Sequence, residues 1–551
     1  MTLERKLPAR SFGGKVVRLW GAQGGKLPVI GEQTKSMYTN KRSRETCAFI
    51  ASVGLVLIAI GLNAVVASAA TYHVRAGATG AANGIDWNNA YPTLPTTLLR
   101  GSTYYVAAGA YAGYTFNTIE SGASLVTIKK ATLLDHGSNT GWNDNYGSGP
   151  AVFTNYWQIA RGYLVLDGQV GGGPQSWTNG YGFKIQSPSK VNFQPGISIS
   201  DNRRYVTLRH IEVEGNGGDG DGGAGGQAND ALSIGINTDF TTVSYVYLHD
   251  VGRCLIFGHG HNMFFEYVYG GRFESTDVEH AEIASLWASL PPTTVCTNVT
   301  FANCVWSHME GTGGLIMFAD GVKIYGNVFY RPANVTFPVA HGCISTWVNA
   351  GGVFARARIF NNAFLDLGSS FPAFNFSFGQ NTGDIQVLNN IFYNCRVDFS
   401  NVTQHNYNLF VSSSGATASS ESNGATAAST IFNDYRALNF TLKSNTLAGV
   451  AVGAPYDLDP NDATRTTWTR GAYEFGSGVA GVKLEMQRAG AQFVFSWPDT
   501  PASYQLCVTT NTALPIAWNA LTNAPTLSNG IWNLSLPAPT TQRQFFRLQR
   551  Q

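Results

Sequence analysis

Residues 299–392 constrain the fold more than any other stretch, because one short pattern recurs there four times. In each copy an apolar residue is followed two positions later by another apolar residue, five positions later by asparagine (cysteine in the first copy) and seven positions later by an aromatic residue. The pattern predicts a strand, a tight corner and a second short strand. The copies are Val299–Trp306, Val322–Phe329, Ala357–Phe364 and Ile385–Phe392.

The copies start 23, 35 and 28 residues apart, so one structural unit repeats with insertions between its copies. A unit of this size cannot bury its apolar face alone. We therefore expect the copies to stack at the roughly 4.8 Å spacing of hydrogen-bonded strands. Stacking would align Asn327, Asn362 and Asn390 in a buried ladder in which each amide bonds to the coils above and below.

With this repeat the chain resembles the right-handed parallel β-helix proteins of the pectin-lyase-like group. The resemblance implies an all-β, right-handed parallel β-helix, and frequent action on polysaccharides in that group. It covers the fold over about 400 residues. It includes no catalytic signature, because the arginine motif of pectate lyases and the paired Lys/Arg set of alginate- and chondroitin-degrading lyases are absent from the sequence.

Composition agrees with an all-β chain of many turns, since 62 of the 551 residues are glycine and only 13% are charged. The formal net charge is +2, and no basic patch rises above that background. Nucleic acid is therefore not an expected partner.

The segment from Lys41 to Ala70 has the features of a secretory signal. A basic stretch (Lys41–Arg44) precedes an apolar run (Phe49–Val66), and Ala67-Ser-Ala69 forms a cleavage motif. We expect cleavage near Ala69 or Ala70, a secreted, cell-surface or periplasmic protein, and no membrane span in the mature chain. Met37 is the predicted true start, with residues 1–36 an upstream extension. A retained membrane anchor is the alternative.

We predict three parts: a leader over 1–70, the β-helix over 71–476 and a small β-sandwich over 477–551. After Gly476 short alternating strands are separated by Pro and Asn-Gly turns, a pattern similar to accessory modules of secreted bacterial proteins. Six cysteines follow residue 70, too few for a disulfide framework, although a Cys296–Cys304 bridge could form. The Ser/Ala/Gly/Thr-rich stretch 412–429 is predicted to be a flexible excursion.

A second strand of each coil predicts where chemistry could lie. Aligning the tetrapeptides that begin at Asp230, Arg253, His280, Gly313 and His341 places small residues and isoleucines on one parity, which should face the core. The opposite parity then forms an outer column of Asp230, Arg253, His280 and His341, with Glu282 in the next column. Seven of the ten histidines lie between residues 210 and 341, which is the strongest functional signal in the chain.

The predicted catalytic residues carry groups that acid–base chemistry or carboxylate binding requires. Arg253 could neutralise a uronate carboxylate, a histidine could remove the adjacent sugar proton, and the two glutamates could bind a metal or orient a histidine. Two carboxylates flanking a glycosidic bond would instead support hydrolysis, with Asp230 as a further candidate. The catalytic candidates are Arg253, His280, Glu282, His308, Glu310 and His341.

Substrate contacts are expected from Asp230, Trp347 and Lys323, and from Trp287 if its strand ends or bulges before it. No cofactor is certain. Carboxylates in the glycine-rich loop Gly215–Gly226 could bind Ca²⁺, although a loop bordering the groove explains the same sequence. The stretches Asn237-Thr-Asp239, His249-Asp250 and Gly258-His-Gly260 echo polygalacturonase signatures, but their spacing is about half that of the family.

Together these features predict a secreted lyase or glycoside hydrolase that acts on an extracellular, acidic polysaccharide. The alternative is a non-catalytic adhesin or glycan-binding protein in which the ionisable column is only solvated surface. An enzyme should gather these groups in a walled groove, whereas a binding protein should spread them over an open face.

Overall fold

The computed structural model describes the greater part of the chain from residue 70 onward, with several gaps. The described ranges are 70–133, 135–174, 176–187, 193–216, 229–273, 281–286, 295–309, 313–332, 341–346, 353–376, 382–476, 484–498, 504–510, 519–528, 531–538 and 544–550. The predicted signal segment lies outside them. No helix in these ranges has the length and apolar character needed to cross a membrane.

Thirty strands form one large sheet. The first thirteen are β1 Thr71–Val74, β2 Thr103–Val106, β3 Gly109–Tyr111, β4 Tyr114–Phe116, β5 Val126–Lys130, β6 Ala151–Phe153, β7 Trp157–Ile159, β8 Leu164–Asp167, β9 Phe183–Gln186, β10 Ile197–Ile199, β11 Arg204–Glu214, β12 Leu232–Val251 and β13 Cys254–Glu266. The next seventeen are β14 Tyr269–Phe273, β15 Glu282–Leu286, β16 Cys296–Ala302, β17 Val305–Trp306, β18 Gly313–Met317, β19 Ala319–Tyr325, β20 Val328–Tyr330, β21 Gly342–Ser345, β22 Phe354–Phe360, β23 Ala363–Pro372, β24 Phe374–Asn375, β25 Thr382–Leu388, β26 Ile391–Val397, β27 Gln404–Asn406, β28 Leu409–Val411, β29 Ser414–Gly415 and β30 Ala425–Thr426.

The remaining elements are short. Nine further strands are β31 Phe432–Asp434, β32 Asn439–Leu442, β33 Glu485–Ala489, β34 Gln492–Pro498, β35 Tyr504–Thr509, β36 Asn519–Ala520, β37 Thr526–Ser528, β38 Ile531–Pro537 and β39 Phe545–Arg550. The described helices are single 3₁₀ turns at Asp144–Tyr146, Ala418–Ser420 and Tyr435–Ala437.

The large sheet winds into a solenoid with three faces, and every pairing within each face is parallel. Face A runs through β1, β2, β5, β8, β11, β12, β13, β16, β19, β22, β25 and β27. Face B runs through β3, β6, β9, β11, β12, β14, β17, β20, β23, β26, β28 and β30. Face C runs through β4, β7, β10, β12, β13, β15, β18, β21 and β24. The predicted fold class, a right-handed parallel β-helix followed by a small β-sandwich, is confirmed.

Single residues in the left-handed backbone region turn the chain from face to face. The corner from face A to face B carries His210, Tyr245, Tyr267, Asn303, Gly326, Asn361, Asn389 and Tyr407, all with positive φ. Five residues later, the corner that ends face B carries Asp250, Arg272, His308, Asp366, Asn394 and Ser412, also with positive φ. Each coil thus bends twice around face B, and the four residues between the bends alternate inward and outward.

The predicted asparagine ladder is present directly after the first of these corners. Asn362 is fully buried, and its Nδ2 donates to the Ile324 and Phe360 carbonyls at 2.9 and 3.1 Å and to Asn390 Oδ1 at 3.0 Å. Its Oδ1 accepts from the backbone N–H of Asn327 at 3.0 Å. Each side chain therefore satisfies backbone groups of its own coil and of its neighbours, which removes the cost of unpaired polar groups in the core.

Both ends of the ladder differ from simple repetition. At one end Cys304 takes the asparagine position, and its Sγ donates to the Ala302 carbonyl at 3.2 Å. Cys296 and Cys304 are both free and buried, so the bridge considered between them is absent. At the other end Asn408 adds a rung and Glu421 accepts its backbone N–H at 2.9 Å. The stretch 412–429, predicted to be a flexible excursion, therefore carries the carboxylate that closes the ladder.

Three antiparallel sheets follow the large sheet in the described ranges. The first is the pair of β31 and β32, and the other two form the C-terminal module. Of these two, one contains β33, β34, β38 and β37, and the other contains β36, β35 and β39. Phe495, Trp497 and Leu534 of the four-stranded sheet pack in one apolar cluster with Leu506 and Phe546 of the three-stranded sheet. The Phe495 and Phe546 rings lie 4.5 Å apart between centroids. This shared core makes the module a sandwich, as predicted from its alternating strands.

The ladder gives a stability prediction. Asn362→Ala should lower the free energy of unfolding by about 3–5 kcal/mol, because it leaves several buried backbone and amide groups unpaired. Asn394→Ala is the matched control, since Asn394 also lies at a corner but is exposed and bonds Asp366 at 3.0 Å. It should cost about 1 kcal/mol. Urea unfolding followed by tryptophan fluorescence measures both, and equal losses would contradict a stabilising role for the ladder.

Candidate functional site

The outer surface of face B carries two neighbouring columns of side chains set by the parallel register. Ile211, Val213, Val246 and Leu248 point into the core, so the residues between them point outward. The first outer column consists of Lys184, Glu212, Tyr247 and Tyr269 in successive coils. The second, two residues further along each strand, consists of Gln186, Glu214, His249 and Gly271.

These columns line a cavity of about 540 Å³, which we call the face B pocket. Gly271 has no side chain to fill the second column beyond His249, and Thr178 contributes a wall from the segment before β9. The corner after the columns adds Arg272 and His308. The lining residues are Thr178, Lys184, Glu212, Glu214, Tyr247, His249, Tyr269, Gly271, Arg272 and His308.

Lys184 holds the two glutamates of the pocket together. Its Nζ lies 2.7 Å from Glu212 Oε1 and 2.7 Å from Glu214 Oε2. Burial works to raise the pKa of both carboxyls, but the bonds from His249 and Lys184 to Glu212, and from Lys184 and Gln186 to Glu214, outweigh it and lower both pKa values. Both glutamates are therefore ionised at neutral pH.

His249 lies between two carboxylates. Its Nδ1 is 2.6 Å from Asp250 Oδ2 and its Nε2 is 3.2 Å from Glu212 Oε1. Burial works to lower the pKa of His249, and the bonds to these two carboxylates reverse that effect and raise it. Arg272 Nη2 donates to the same Asp250 oxygen at 2.6 Å. His249 thus lies within an ion network that favours its protonated form.

His308 lies one coil beyond Arg272 at the same corner, in the opposite electrostatic setting. Burial lowers the pKa of His308, and the positive charge of Arg272 lowers it further. Its Nδ1 is 2.8 Å from Ser307 Oγ. Ser307 in turn bonds the Tyr269 hydroxyl, and burial keeps the pKa of that tyrosine above its ordinary value. The pocket therefore holds a neutral imidazole linked through a serine to a protonated tyrosine.

The column predicted on face C forms with a different register. Cys254 pairs with Glu282, and Glu282 pairs with Gly313, whereas the alignment of small residues had placed Ala281 opposite Cys254. Since a slip of one residue exchanges the two faces of a strand, Glu282 lies in the column of Cys254, not on the outer parity. It is 2% exposed, and Cys254 Sγ donates to its Oε2 at 3.0 Å. The physical reason is the core column Ile256, Ala284, Leu315 and Ile344, which packs apolar residues in line.

Asp230 and Arg253 pair with each other rather than with an open groove. Arg253 Nε and Nη2 lie 2.8 Å from the two oxygens of Asp230. The guanidinium also lies 4.0 Å from the centroid of the Phe257 ring. Only 14% of the Arg253 side chain is exposed. This geometry is that of a buried, fully engaged ion pair.

The other predicted residues do not gather in one place. His341 is half-buried at the start of face C, and Lys323 is exposed on face A between Thr300 and Arg358. His280, Glu310, Trp287 and Trp347 lie outside the described residues. His308 is the predicted candidate that lines the face B pocket, and the catalytic roles assigned to the others stay predictions.

Most residues of the face B pocket were missed by the sequence reasoning. The signal that could have found them is the alternation in Phe183–Gln186, Ile211–Glu214 and Val246–His249, where every second residue is polar or aromatic. Aligning those strands would have placed Lys184, Glu212 and Tyr247 in one column. In the described part of the chain no three histidine, cysteine or acidic side chains are placed to hold a metal ion, and most of the loop considered for Ca²⁺ lies outside it.

Comparison with known proteins yields structural likeness at low identity. No family model matches the chain, and no curated protein sequence matches it. Similar solved structures include the GH136 lacto-N-biosidase from Eubacterium ramulus, at 10% identity and a TM-score of 0.34 over 65% of this chain and 66% of that one. XylC in complex with xylose matches at 10% identity and 0.32 over 87% of this chain and 100% of that one. The PL6 family alginate lyase AlyGC matches at 10% identity and 0.31 over 69% of this chain and 55% of that one. At such scores the likeness carries no argument about function.

The opposite pKa shifts of His249 and His308 can be measured. In a nuclear magnetic resonance titration of ¹³C-labelled imidazoles, His249 should titrate above pH 6.5 and His308 below it. Arg272→Ala removes a cation next to His308, so the pKa of His308 should rise toward 6.5. Signals are assigned with His249→Gln and His308→Gln.

Arg356→Ala provides the control for that titration. Arg356 also lies at a corner with positive φ, is more than half exposed and pairs with one aspartate, Asp320, at 2.7 Å, but it lies on face A. It should leave the pKa of His308 unchanged. An unchanged His308 pKa in Arg272→Ala would show that the arginine does not set the protonation of this imidazole.

Proposed function

We propose that the protein is a polysaccharide lyase that cleaves an acidic polysaccharide by β-elimination in the face B pocket. The observation that carries the proposal is the neutral imidazole of His308 beside the Arg272 guanidinium and linked through Ser307 to Tyr269. Elimination next to a uronate carboxylate needs a cation, a base and an acid within one site. These three groups come from adjacent coils of one corner and one column.

Arg272 is assigned to the carboxylate of the substrate. Its hydrogen bond to Asp250 Oδ2 uses Nη2, and the same nitrogen lies 3.0 Å from His249 Nδ1. A guanidinium carries five N–H donors in a planar fork, and 52% of this side chain is exposed. The other edge can therefore bind a carboxylate through two bonds, which neutralises its charge and makes the neighbouring C–H more acidic.

His308 is assigned as the base. We place a proton on Nδ1, donated to Ser307 Oγ over 2.8 Å, which leaves the Nε2 lone pair to accept the proton from the sugar carbon next to the carboxylate. A lowered pKa keeps this nitrogen unprotonated at neutral pH. His308 can therefore abstract the sugar proton without first losing a proton of its own.

Tyr269 is assigned as the acid. Its hydroxyl proton passes to the leaving glycosidic oxygen as the C–O bond breaks and the C=C bond forms. The Ser307 proton then moves to Tyr269, and the Nδ1 proton of His308 moves to Ser307. His308 ends with the abstracted proton on Nε2, so one proton has been taken from carbon, one has been given to oxygen, and the tyrosine is restored.

Hydrolysis by two carboxyls is less well supported in this pocket. A glycoside hydrolase needs one carboxyl whose pKa is raised, so that it can protonate the leaving oxygen. Glu212 and Glu214 both have lowered pKa values because Lys184 binds them. They are better suited to hold Lys184 and His249 in place.

A non-catalytic glycan-binding protein is the alternative that this pocket disfavours. Lys184, Glu212, His249, Asp250 and Arg272 lie within hydrogen-bond reach of one another along one chain of contacts. A concave surface that gathers such interacting groups is typical of active sites. A polymeric substrate of this kind also lies outside the cell, so the proposal includes secretion through the predicted segment 41–70, with the sandwich as an accessory module.

The proposal predicts a direct assay. The purified mature chain, incubated with a panel of acidic polysaccharides, should generate the ultraviolet absorbance of an unsaturated uronate. His308→Ala should lower kcat by about 10²–10⁴-fold because the base is lost. Arg272→Ala should lower kcat/KM by about 10–100-fold because a charge-assisted contact is lost.

Arg356→Ala is again the matched control, and it should retain the activity of the natural chain. In the pH–rate profile of the natural chain, activity should fall on the acid side at a pH below 6.5. In the profile of the activity that Arg272→Ala retains, this fall should occur at a higher pH. If His308→Ala generated the absorbance at the full rate, His308 would not be the base and the proposed site would be wrong. Reducing sugar released without absorbance would indicate hydrolysis instead, and binding without either product would indicate the glycan-binding alternative.

A further inference from the structure

A second cavity of about 770 Å³ lies beside the face B pocket, and we call it the corner pocket. Its floor is the corner between faces A and B, and its rim includes Asp462 from the closing segment and Glu485 and Trp497 from the sandwich. Polar groups and aromatic rings from three separate parts of the chain thus converge on one concave space. Such convergence is the general mark of a ligand site.

The floor of the corner pocket is a stack of three rings. The Tyr245 and Tyr267 rings lie 4.7 Å apart with planes 5° from parallel, and His210 stacks on Tyr245 at 5.2 Å. Stacked rings cover one another's faces, so this floor presents ring edges and hydroxyl groups. The Tyr267 hydroxyl donates to Asp462. Hydroxyls, amides and carboxylates on apolar rings form the surface that a sugar with many hydroxyl groups requires.

The two pockets differ in charge. The corner pocket has carboxylates at Asp462 and Glu485, and no lysine or arginine is among the described residues that line it. Burial and the negative charge of Asp462 raise the pKa of the nearby Glu266, and they outweigh the opposite effect of Arg209. The face B pocket contains Lys184 and Arg272 beside Glu212 and Glu214; Lys184 pairs with both glutamates, and the Arg272 side chain, 52% exposed, presents its charge to the pocket. An anionic sugar is therefore repelled by the first pocket and attracted by the second.

The two pockets are close enough to hold neighbouring units of one sugar chain. Tyr245 and Tyr267 on the corner floor stand two residues before Tyr247 and Tyr269 in the face B pocket, and two residues span at most about 7 Å. One segment walls both cavities, with Gly172 at the corner pocket and Thr178 at the face B pocket. Gly172 passes so close to Tyr245 that a Cβ there would lie 2.9 Å from its carbonyl oxygen.

We infer that the corner pocket binds a neutral sugar unit next to the uronate held in the face B pocket, so that the substrate is a heteropolysaccharide in which uronate and neutral sugars are neighbours. This rests on the proposed function for the uronate end. It adds the class of polymer, because a chain of uronate alone would place a carboxylate against Asp462 and Glu485.

Two hexasaccharides of equal length test the inference, one alternating uronate with a neutral hexose and one made of uronate alone. Binding is measured by calorimetry on the His308→Ala chain, and turnover by absorbance on the active chain. We expect the alternating hexasaccharide to bind at least tenfold more tightly and to have the higher kcat/KM. Glu485→Lys, which places a cation at the rim, should shrink that preference at least threefold, and Glu485→Gln should shrink it less.

Asn519→Lys is the control for the added charge, since Asn519 is exposed on the other sheet of the sandwich and should leave the preference unchanged. Equal or tighter binding of the uronate hexasaccharide, or a preference that Glu485→Lys does not move, would overturn the inference. Preferred binding of the alternating hexasaccharide without turnover would leave the corner pocket in place and overturn the lyase proposal. Turnover that favours the uronate hexasaccharide would leave the lyase proposal in place and overturn the inference about the corner pocket. If neither hexasaccharide bound, both proposals would be overturned.

Discussion

The side-chain amides of the asparagine ladder are the interaction on which the rest of the structure depends. The Asn362 side chain bonds backbone groups of its own coil and of the preceding coil, and the Asn390 side chain of the next, so it fixes both the spacing of these coils and the residue at which they turn onto face B. An insertion between coils can change a loop without changing that point. In the coils that carry the face B pocket the same position holds Ile211, Val246 and Val268, and there the apolar core and the parallel register keep the outer columns in line although the coils differ in length by more than ten residues.

The corners that end face B place the chemistry. Asn361 and Gly326 adopt the left-handed region at little cost, whereas Arg272 and His308 adopt it with long or branched side chains. A residue kept in such a conformation costs of the order of 1 kcal/mol, which the packing of the coils must offset.

The sequence allowed the ladder to be predicted but not the pocket. Asn327, Asn362 and Asn390 recur within one short pattern, so the residues that hold the coils together are local and visible. The face B columns instead pair Glu212 with Tyr247 and Tyr247 with Tyr269, at separations set by loops of unrelated length. Glu282 was placed on the wrong parity for the same reason, since a one-residue slip between two strands leaves the apolar pattern of each strand unchanged.

Stacking also explains how a repeating fold can produce a site at one level only. Every coil presents an equivalent corner position, so a change of residue in one coil acts on its neighbours at about 4.8 Å through a small number of contacts. Asp250, Arg272 and His308 occupy that position in three successive coils. Bonds to Asp250 and Glu212 raise the pKa of His249, whereas burial and the charge of Arg272 lower the pKa of His308, so the pKa values of two imidazoles on one face are shifted in opposite directions. The acid–base asymmetry of the pocket therefore comes from the order of residues along the solenoid axis, and the same three residues spread over distant coils would not produce it.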